Sequence, residues 1–475
     1  MLRNSLVNTT QFGRTPVLAA GIFCACGYAW LALLSRGYAD VGLSPVLIVC
    51  VGSSLVSMVL ARMSRVGSLE LRITDVLWFA LAFRLIGLCG YPLLEDDHFR
   101  YLWDGWVFAE LGSPYDIAPA EFFTDERIVD ELTNVLDSVN YPDVPTVYGP
   151  TAQWLFAFSY FLAPAAVWPL QIFSIVADFV IILCLLRWAP LAWVLLYAWS
   201  GLVLKEFAFT AHIDVWGAAF LCAAIALQQS IVRQSEMSDR TQNRVNTLFK
   251  IGIGILLGLA VGIKVFCVIA LPFVLGKDRL AWTSMLSTCC AIAWPFGLVA
   301  AWYPAGLVAM GESWLFNAPL YVGSVAVFGA QTLPFAKAGL FFLYACIYLV
   351  VLYRSLFKHG LRSSNVAPAE YASSLGWLFG LLFLLSPVFN PWYMVWWLFL
   401  AVPFKHQRLM LTPWVASVVL FASYFTGINT DWSNLHLYEV APGAMWVEFG
   451  LITLALVLDG WRKMTLAKIN ALASL

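Results

Sequence analysis

The chain has 475 residues, 61% of them hydrophobic and only 12% charged, with a net charge of −1. Soluble domains carry about 25% charged residues, and a globule cannot hide this much apolar surface from water. A soluble fold is therefore excluded, lipid is the solvent for most of the chain, and the near-neutral charge gives no argument for a nucleic-acid partner.

Apolar runs that approach the 20 residues of a membrane span occur at approximately 16–34, 44–62, 74–91, 167–187, 190–204, 211–229, 251–275, 280–302, 338–357, 373–389, 391–404, 409–427 and 444–461. They predict an all-α polytopic membrane protein of about 11–14 transmembrane helices. The first run does not resemble a cleavable signal and is expected to remain as a helix. The 22 Trp and 34 Phe suit rings placed at headgroup level. All ten cysteines lie in apolar stretches without zinc spacing and read as small buried hydrophobes.

Lys and Arg in short loops set orientation. Basic groups recur at Arg3 and Arg14, at Arg62, Arg65 and Arg72, and at Arg233, Arg240, Arg244 and Lys250. Further groups follow at Lys277 and Arg279, at Arg354, Lys358 and Arg362, at Lys405 and Arg408, and at Arg462, Lys463 and Lys468. Placing them all in the cytoplasm puts both termini there, and the third span then delivers Glu95 to the outside. The segment from Glu95 to Pro150 holds 13 of the 28 acidic residues and only two basic ones, Arg100 and Arg127, which fits translocation. Three regions result: N-terminal transmembrane helices (1–94), a non-cytoplasmic loop with interfacial helices (95–166) and the remaining bundle (167–475).

Parity makes two further demands. An odd number of crossings must separate Pro150 from Arg233, so the short run 151–163 is expected not to cross by itself. The run 251–275 has basic flanks at both ends and is expected to enter and return, with its apex near Lys264. No internal repeat is visible, whereas transporters with inverted repeats show matching halves.

The unusual polar residues collect in the outer segments. From Glu95 to Val107, Phe99, Leu102, Trp103, Trp106 and Val107 share one helical face and Asp97, Arg100 and Asp104 the other, with Asp96 at the N-cap position. This pattern predicts an amphipathic helix lying flat on the outer leaflet. On one reading the acids merely cap the helix and pair with Arg100. On the other, three adjacent carboxylates supply a general base, a metal ligand or both, because neighbouring acids repel and one gains proton affinity. Lys205, Glu206, His212 and Asp214 stand between apolar runs, as a hydrated turn or as a site. Lys264 snorkels or meets an anionic headgroup. Asn390, Trp392 and Tyr393 sit at a proline-flanked helix break and belt position, and the proline-stiffened stretch from Tyr141 to Pro150 returns the loop to the membrane.

Taken in order, these residues resemble the integral membrane glycosyltransferases of the GT-C fold class, nearest to bacterial mannosyltransferase-like members. The matching pieces are Asp96-Asp97-His98-Phe99-Arg100-Tyr101-Leu102-Trp103-Asp104-Gly105, Gly112-Ser113-Pro114-Tyr115 and Pro145-Thr146-Val147-Tyr148-Gly149-Pro150-Thr151-Ala152-Gln153. They include Ala118-Pro119 after the second piece, and continue with Lys205-Glu206, His212-Ile213-Asp214, Gly258-Leu259-Ala260-Val261-Gly262-Ile263-Lys264 and Pro387-Val388-Phe389-Asn390-Pro391-Trp392-Tyr393. The resemblance implies a GT-C-like bundle with a helical first outer loop in a bacterial cytoplasmic membrane. It implies a polyprenyl-phosphate sugar as donor, a glycan or lipid acceptor on the periplasmic or extracellular side, and inversion at the anomeric carbon. Asp96 or Asp97 would be the base. Glu95, Arg100, Tyr101, Asp104, Tyr148, Gln153, Lys205, Glu206, His212, Asp214, Lys264, Asn390, Trp392 and Tyr393 would line the substrate site. Lys264, Arg100 and Lys205 are the candidates to meet the leaving phosphate. Two departures stand out: Gly149 occupies a position where relatives often carry proline, and Glu95-Asp96-Asp97 is not a spaced Asp-x-Asp, which bears on whether Asp96 and Asp97 hold Mg or Mn. The competing expectation is a transporter or flippase of a lipid-linked or anionic solute, with Lys264, His212 and Asp214 as an intramembrane relay.

Overall fold

A computed structural model of the protein describes residues 12–37, 41–234, 240–358, 367–403, 409–430 and 435–473. Among the basic residues, Arg3, Arg362, Lys405 and Arg408 lie outside the described residues. The described chain is all-helical, with only isolated β-bridges. Every backbone N–H and C=O at membrane depth needs a partner within its own segment, and helices provide it.

Nine helices among the described residues are long and apolar enough to cross a membrane, or ten if one bent pair is counted as a span. This is fewer than the sequence count, for identifiable reasons. The third helix, Ile73–Leu88, has only 16 residues, and the run at 391–404 condenses to a 3₁₀ turn and the eight-residue helix Met394–Ala401. The run at 280–302 is not one straight span either: Arg279–Phe296 and Leu298–Glu312 meet at 115°, with Gly297 at φ +80° between them. The second arm of this bend includes the helix Ala305–Ser313, and a further helix, Pro319–Phe328, follows it. Four of the cysteines, Cys26, Cys89, Cys290 and Cys346, are exposed on the bundle surface rather than buried.

Between Pro150 and Arg233 lie three long helices, Trp168–Leu185, Leu191–Phe209 and Asp214–Arg233, the odd number that charge parity requires. Pro150–Leu162 has 13 residues, about 20 Å at 1.5 Å per residue, and is too short to span. An ion pair seals the depth of this part of the bundle. Arg84 Nε donates to Asp178 Oδ2 at 2.6 Å, and its Nη1 reaches the carbonyls of Ala80 and Ala198.

The segment 251–275 does enter and return. Arg240–Ile263 stops at Lys264, whose backbone is extended, and Val265–Leu275 runs back. The return brings Asp278 within 2.7 Å of the Lys250 ammonium, far along the helix from the apex. The following helix then climbs beside Arg240–Ile263. Gly254, Gly258 and Gly262 form a strip at four-residue spacing against which it packs, and an added Cβ would lie 2.6 Å from Ser284, 2.8 Å from Thr288 and 2.6 Å from Ile292 respectively.

Gly149 has a related physical reason. A Cβ there would collide with the Gly262 carbonyl, so the loop from 141 to 150 can lie against the apex only because residue 149 has no side chain. Gly149→Ala is expected to destabilise the protein by about 1–3 kcal/mol through overpacking, read as a lower unfolding temperature in detergent.

Candidate functional site

The helix Asp97–Leu111 does not lie flat with an open charged face. His98 and every residue from Arg100 to Val107 are buried, because the segment 144–153 covers the polar side. Arg100 Nε donates to Asp104 Oδ1 at 2.9 Å and its Nη2 to the Val144 carbonyl at 2.7 Å. Asp104 also accepts from Thr146 and, at 3.2 Å, from Gln153 Nε2. Asp104 and Gln153 thus serve a closed internal network that fastens the return loop to this helix.

Asp96 occupies the N-cap position, yet its side chain makes no cap hydrogen bond. Its carboxylate accepts instead from Asn140 Nδ2 at 2.8 Å and from the Tyr438 hydroxyl at 2.5 Å. Asp97 shares Asn140, at 2.9 Å to Oδ1, while Oδ2 has only a long contact of 3.5 Å from the Tyr148 hydroxyl. Burial, and next the charge of Asp96, push the Asp97 carboxyl up to about 6. Burial likewise raises Glu95 well above the ordinary carboxylate range.

These acids face a cavity of about 290 Å³, near the lower end of ligand pockets, which run to about 300–1,000 Å³. Glu95, Asp96, Asp97, Arg100, Tyr148, Lys264, Asn390, Trp392 and Tyr393 all line it, drawn from four distant parts of the chain. The rest of the wall is largely apolar and includes Trp302, Met310 and Trp314 from the bent-helix region. Lys264 stands at the helix break with its ammonium 3.8 Å from Asp214 Oδ2 and above the rings of Tyr393 and Tyr148, at 5.3 and 5.6 Å. Asp214 is fixed on its other oxygen by the Trp396 indole N–H at 2.8 Å.

Seven of the sequence-derived site residues do not line this cavity. Tyr101, Asp104, Gln153, Lys205, Glu206, His212 and Asp214 are each at most 1% exposed and lie behind its wall. Lys205 and Glu206 are not a hydrated turn. They sit in a π-helical stretch, Leu204–Phe209, and are closed off by Tyr424, whose hydroxyl accepts from Lys205 at 2.6 Å and donates to Glu206 at 2.5 Å. Lys205 is thereby removed from the candidates for phosphate contact. Backbone strain gathers at the same place: Leu94 (φ 63°), Tyr141 (φ 47°) and Ala211 (φ 60°) hold left-handed conformations beside Glu95, Asn140 and His212.

Sequence reasoning missed Asn140, Tyr438, Tyr424 and Trp396. Tyr438 lies between the apolar runs 409–427 and 444–461, and nothing in the local sequence marks the other three as partners of acids some 40 to 220 positions away.

A divalent cation does not suit this donor set. Among the described residues no three His, Cys, Asp or Glu side chains converge, and Asn140 and Tyr438 aim N–H and O–H donors at Asp96 and Asp97. Such donors would point protons at a cation, so the two carboxylates are acceptors here and not metal ligands. Comparisons with protein-family models, curated proteins and solved structures find no match for the chain.

The two kinds of acid are separable by stability. Asp104→Ala leaves the Arg100 guanidinium buried without its partner and is expected to cost about 3–5 kcal/mol. Asp97→Asn removes a carboxylate disfavoured by burial and is expected to keep or raise the unfolding temperature. Thermal unfolding of both variants in detergent checks the contrast.

Proposed function

We infer that this chain is an integral membrane glycosyltransferase. It moves a hexose, with mannose favoured by the family resemblance, from a polyprenyl-phosphate-linked donor to a glycan or lipid acceptor. The acceptor lies on the non-cytoplasmic side of a bacterial cytoplasmic membrane. The single observation that carries the reading is the shared cavity, where a carboxylate of raised proton affinity and a half-buried ammonium line one largely apolar space between apolar helices.

Asp97, rather than Asp96, takes the role of general base. Both Asp96 oxygens are occupied by short hydrogen bonds, while Oδ2 of Asp97 has only the long contact to Tyr148. An affinity near 6 leaves Asp97 ionised at neutral pH yet still basic enough to take a proton. The acceptor hydroxyl gives its proton to Asp97 as its oxygen attacks the anomeric carbon. The bond from that carbon to the phosphate oxygen breaks on the opposite face, the electron pair leaves with the phosphate, and the configuration inverts. The phosphodiester carries one negative charge and the departing monoester two. Lys264 meets this added charge, held in place by Asp214. Arg100 also reaches the cavity, but its guanidinium is committed to Asp104 and Val144, which leaves it a secondary role.

The test is sugar transfer by purified, detergent-solubilised protein supplied with a polyprenyl-phosphate sugar. Asp97→Asn is expected to lower kcat/KM by about 10²–10⁴-fold, and Lys264→Met by about 10²-fold or more. Transfer that survives in Asp96→Asn, Asp97→Asn and the double variant removes the reading. Because Asp97 works in its ionised form, kcat/KM is expected to fall as pH drops through about 6. Treatment with EDTA is expected to leave the rate unchanged, and a loss restored by Mg or Mn would contradict the donor-set argument.

A further inference from the structure

The charged side chains of the cavity wall mostly have partners within the protein. Asp96 and Asp97 accept from Asn140, Arg100 is tied to Asp104 and Val144, and Lys264 faces Asp214. Glu95 and Asn390 differ. Both line the cavity, and each keeps hydrogen-bonding capacity that no described residue uses. The Glu95 carboxyl receives no hydrogen bond among the described residues. Burial favours its neutral acid form, opposed by the charge of Lys205 and assisted by the acids Asp97, Glu206 and Asp96. The backbone just before it is fixed: Leu94 is left-handed, its carbonyl accepts from Asn429 Nδ2 at 3.4 Å, and the Leu93 N–H donates to Thr210 Oγ1 at 3.4 Å.

Asn390 is held as firmly. A residue before proline is confined to extended backbone, and Asn390, followed by Pro391, has φ −80° and ψ 146°. The Phe389 N–H donates to the Phe316 carbonyl at 2.9 Å, which pins the helix break to another wall segment. The Asn390 side chain is 98% buried, at 2% exposure. Its amide nitrogen turns to the Tyr393 hydroxyl, and its oxygen Oδ1 is buried without a partner. A buried polar atom left unpaired is destabilising, so such atoms in a cavity wall indicate what a ligand brings. Asn390 Oδ1 lacks a donor, and the Glu95 acid offers one O–H together with acceptor oxygens. A hydroxyl both donates and accepts, and a hexose carries several. A lipid tail satisfies neither group, and an anion brings no donor to Asn390.

We propose, on the basis of the transferase reading, that Glu95 and Asn390 are specificity-determining residues that bind hydroxyl groups of the transferred hexose, Asn390 Oδ1 accepting from one and the Glu95 carboxyl bonding to another. Their places suit this. Glu95 directly precedes Asp96 and Asp97, while Asn390 turns to Tyr393, over whose ring the Lys264 ammonium lies at 5.3 Å. The sugar, attacked on the Asp97 side and released on the Lys264 side, is then gripped from both ends through hydroxyls that do not react. A wall whose polar groups are left unpaired when a hydroxyl is missing rejects the analogue that lacks it.

Calorimetric binding to the full-length protein in detergent tests the proposal. The probes are polyprenyl-phosphate mannose, its glucose and galactose counterparts, and polyprenyl methyl phosphate, which has the same tail and charge and no sugar. The tightest sugar probe is expected to bind about 10²-fold more tightly than the methyl ester. Asn390→Leu and Glu95→Leu are each expected to reduce that ratio about 10-fold, with methyl ester binding and unfolding temperature unchanged. Glu95→Gln keeps a donor and an acceptor and is expected to retain most of the ratio. A ratio near unity in the unaltered protein overturns the proposal, as does a ratio unmoved in the Leu variants. An equal loss for the methyl ester also overturns it, because that is what a merely structural role produces, and a Gln variant as weak as Glu95→Leu removes the Glu95 half. The transferase reading fails separately: a protein that transfers no sugar, yet shows the ratio and its loss, refutes the reading and keeps the two assignments.

Discussion

The half-buried ammonium of Lys264 organises the cavity. The Lys264 ammonium lies at the break between two helix segments, 3.8 Å from Asp214 and over two tyrosine rings. A charge at membrane depth is costly unless it is partnered, and much of the local architecture supplies the partners. The return of the chain at Lys264 presents the ammonium at an apex rather than along a lipid-facing helix. The absence of a side chain at Gly149 lets the loop bearing Tyr148 approach that apex. Asp214 is pinned by Trp396, itself fully buried. Removing any one of these leaves the cation with fewer partners in a medium that does not replace them.

Much of this geography was legible in the sequence because membrane topology is governed by coarse quantities. The length of apolar runs, the placement of Lys and Arg, and parity were enough to place the turn at Lys264 and to mark 151–163 as too short to cross. The same coarse rules failed where packing overrides periodicity. The stretch from Asp97 to Val107 reads as an amphipathic surface helix, but periodicity records only which residues share a face. It does not record that Val144, Thr146 and Gln153 return to cover the polar one. Likewise the tract from Lys205 to Asp214 looks like an exposed turn by composition. Its true state depends on Tyr424, more than 200 residues away, and no local rule carries that distance. An apolar run is likewise not obliged to be one straight helix, as the bend at Gly297 demonstrates.

The two adjacent aspartates show how a protein differentiates chemically identical groups. Asp96 and Asp97 are neighbours in sequence and share a hydrogen-bond donor in Asn140. Their difference comes from what meets the second oxygen. For Asp96 it is a tyrosine hydroxyl at 2.5 Å, which satisfies the anion. For Asp97 it is a distant hydroxyl and the edge of a histidine ring, which do not. A satisfied carboxylate is a poor base because taking a proton means giving up its hydrogen bonds, whereas an under-solvated one gains by taking it. The neighbouring charge of Asp96 raises the proton affinity of Asp97 further, second only to burial. On the proposed transferase reading the pair divides its labour: Asp96 stays engaged in its hydrogen bonds and Asp97 supplies the basicity. The surroundings of both acids depend on side chains from 140, 148 and 438, so the site belongs to the assembled bundle and to no single motif within it.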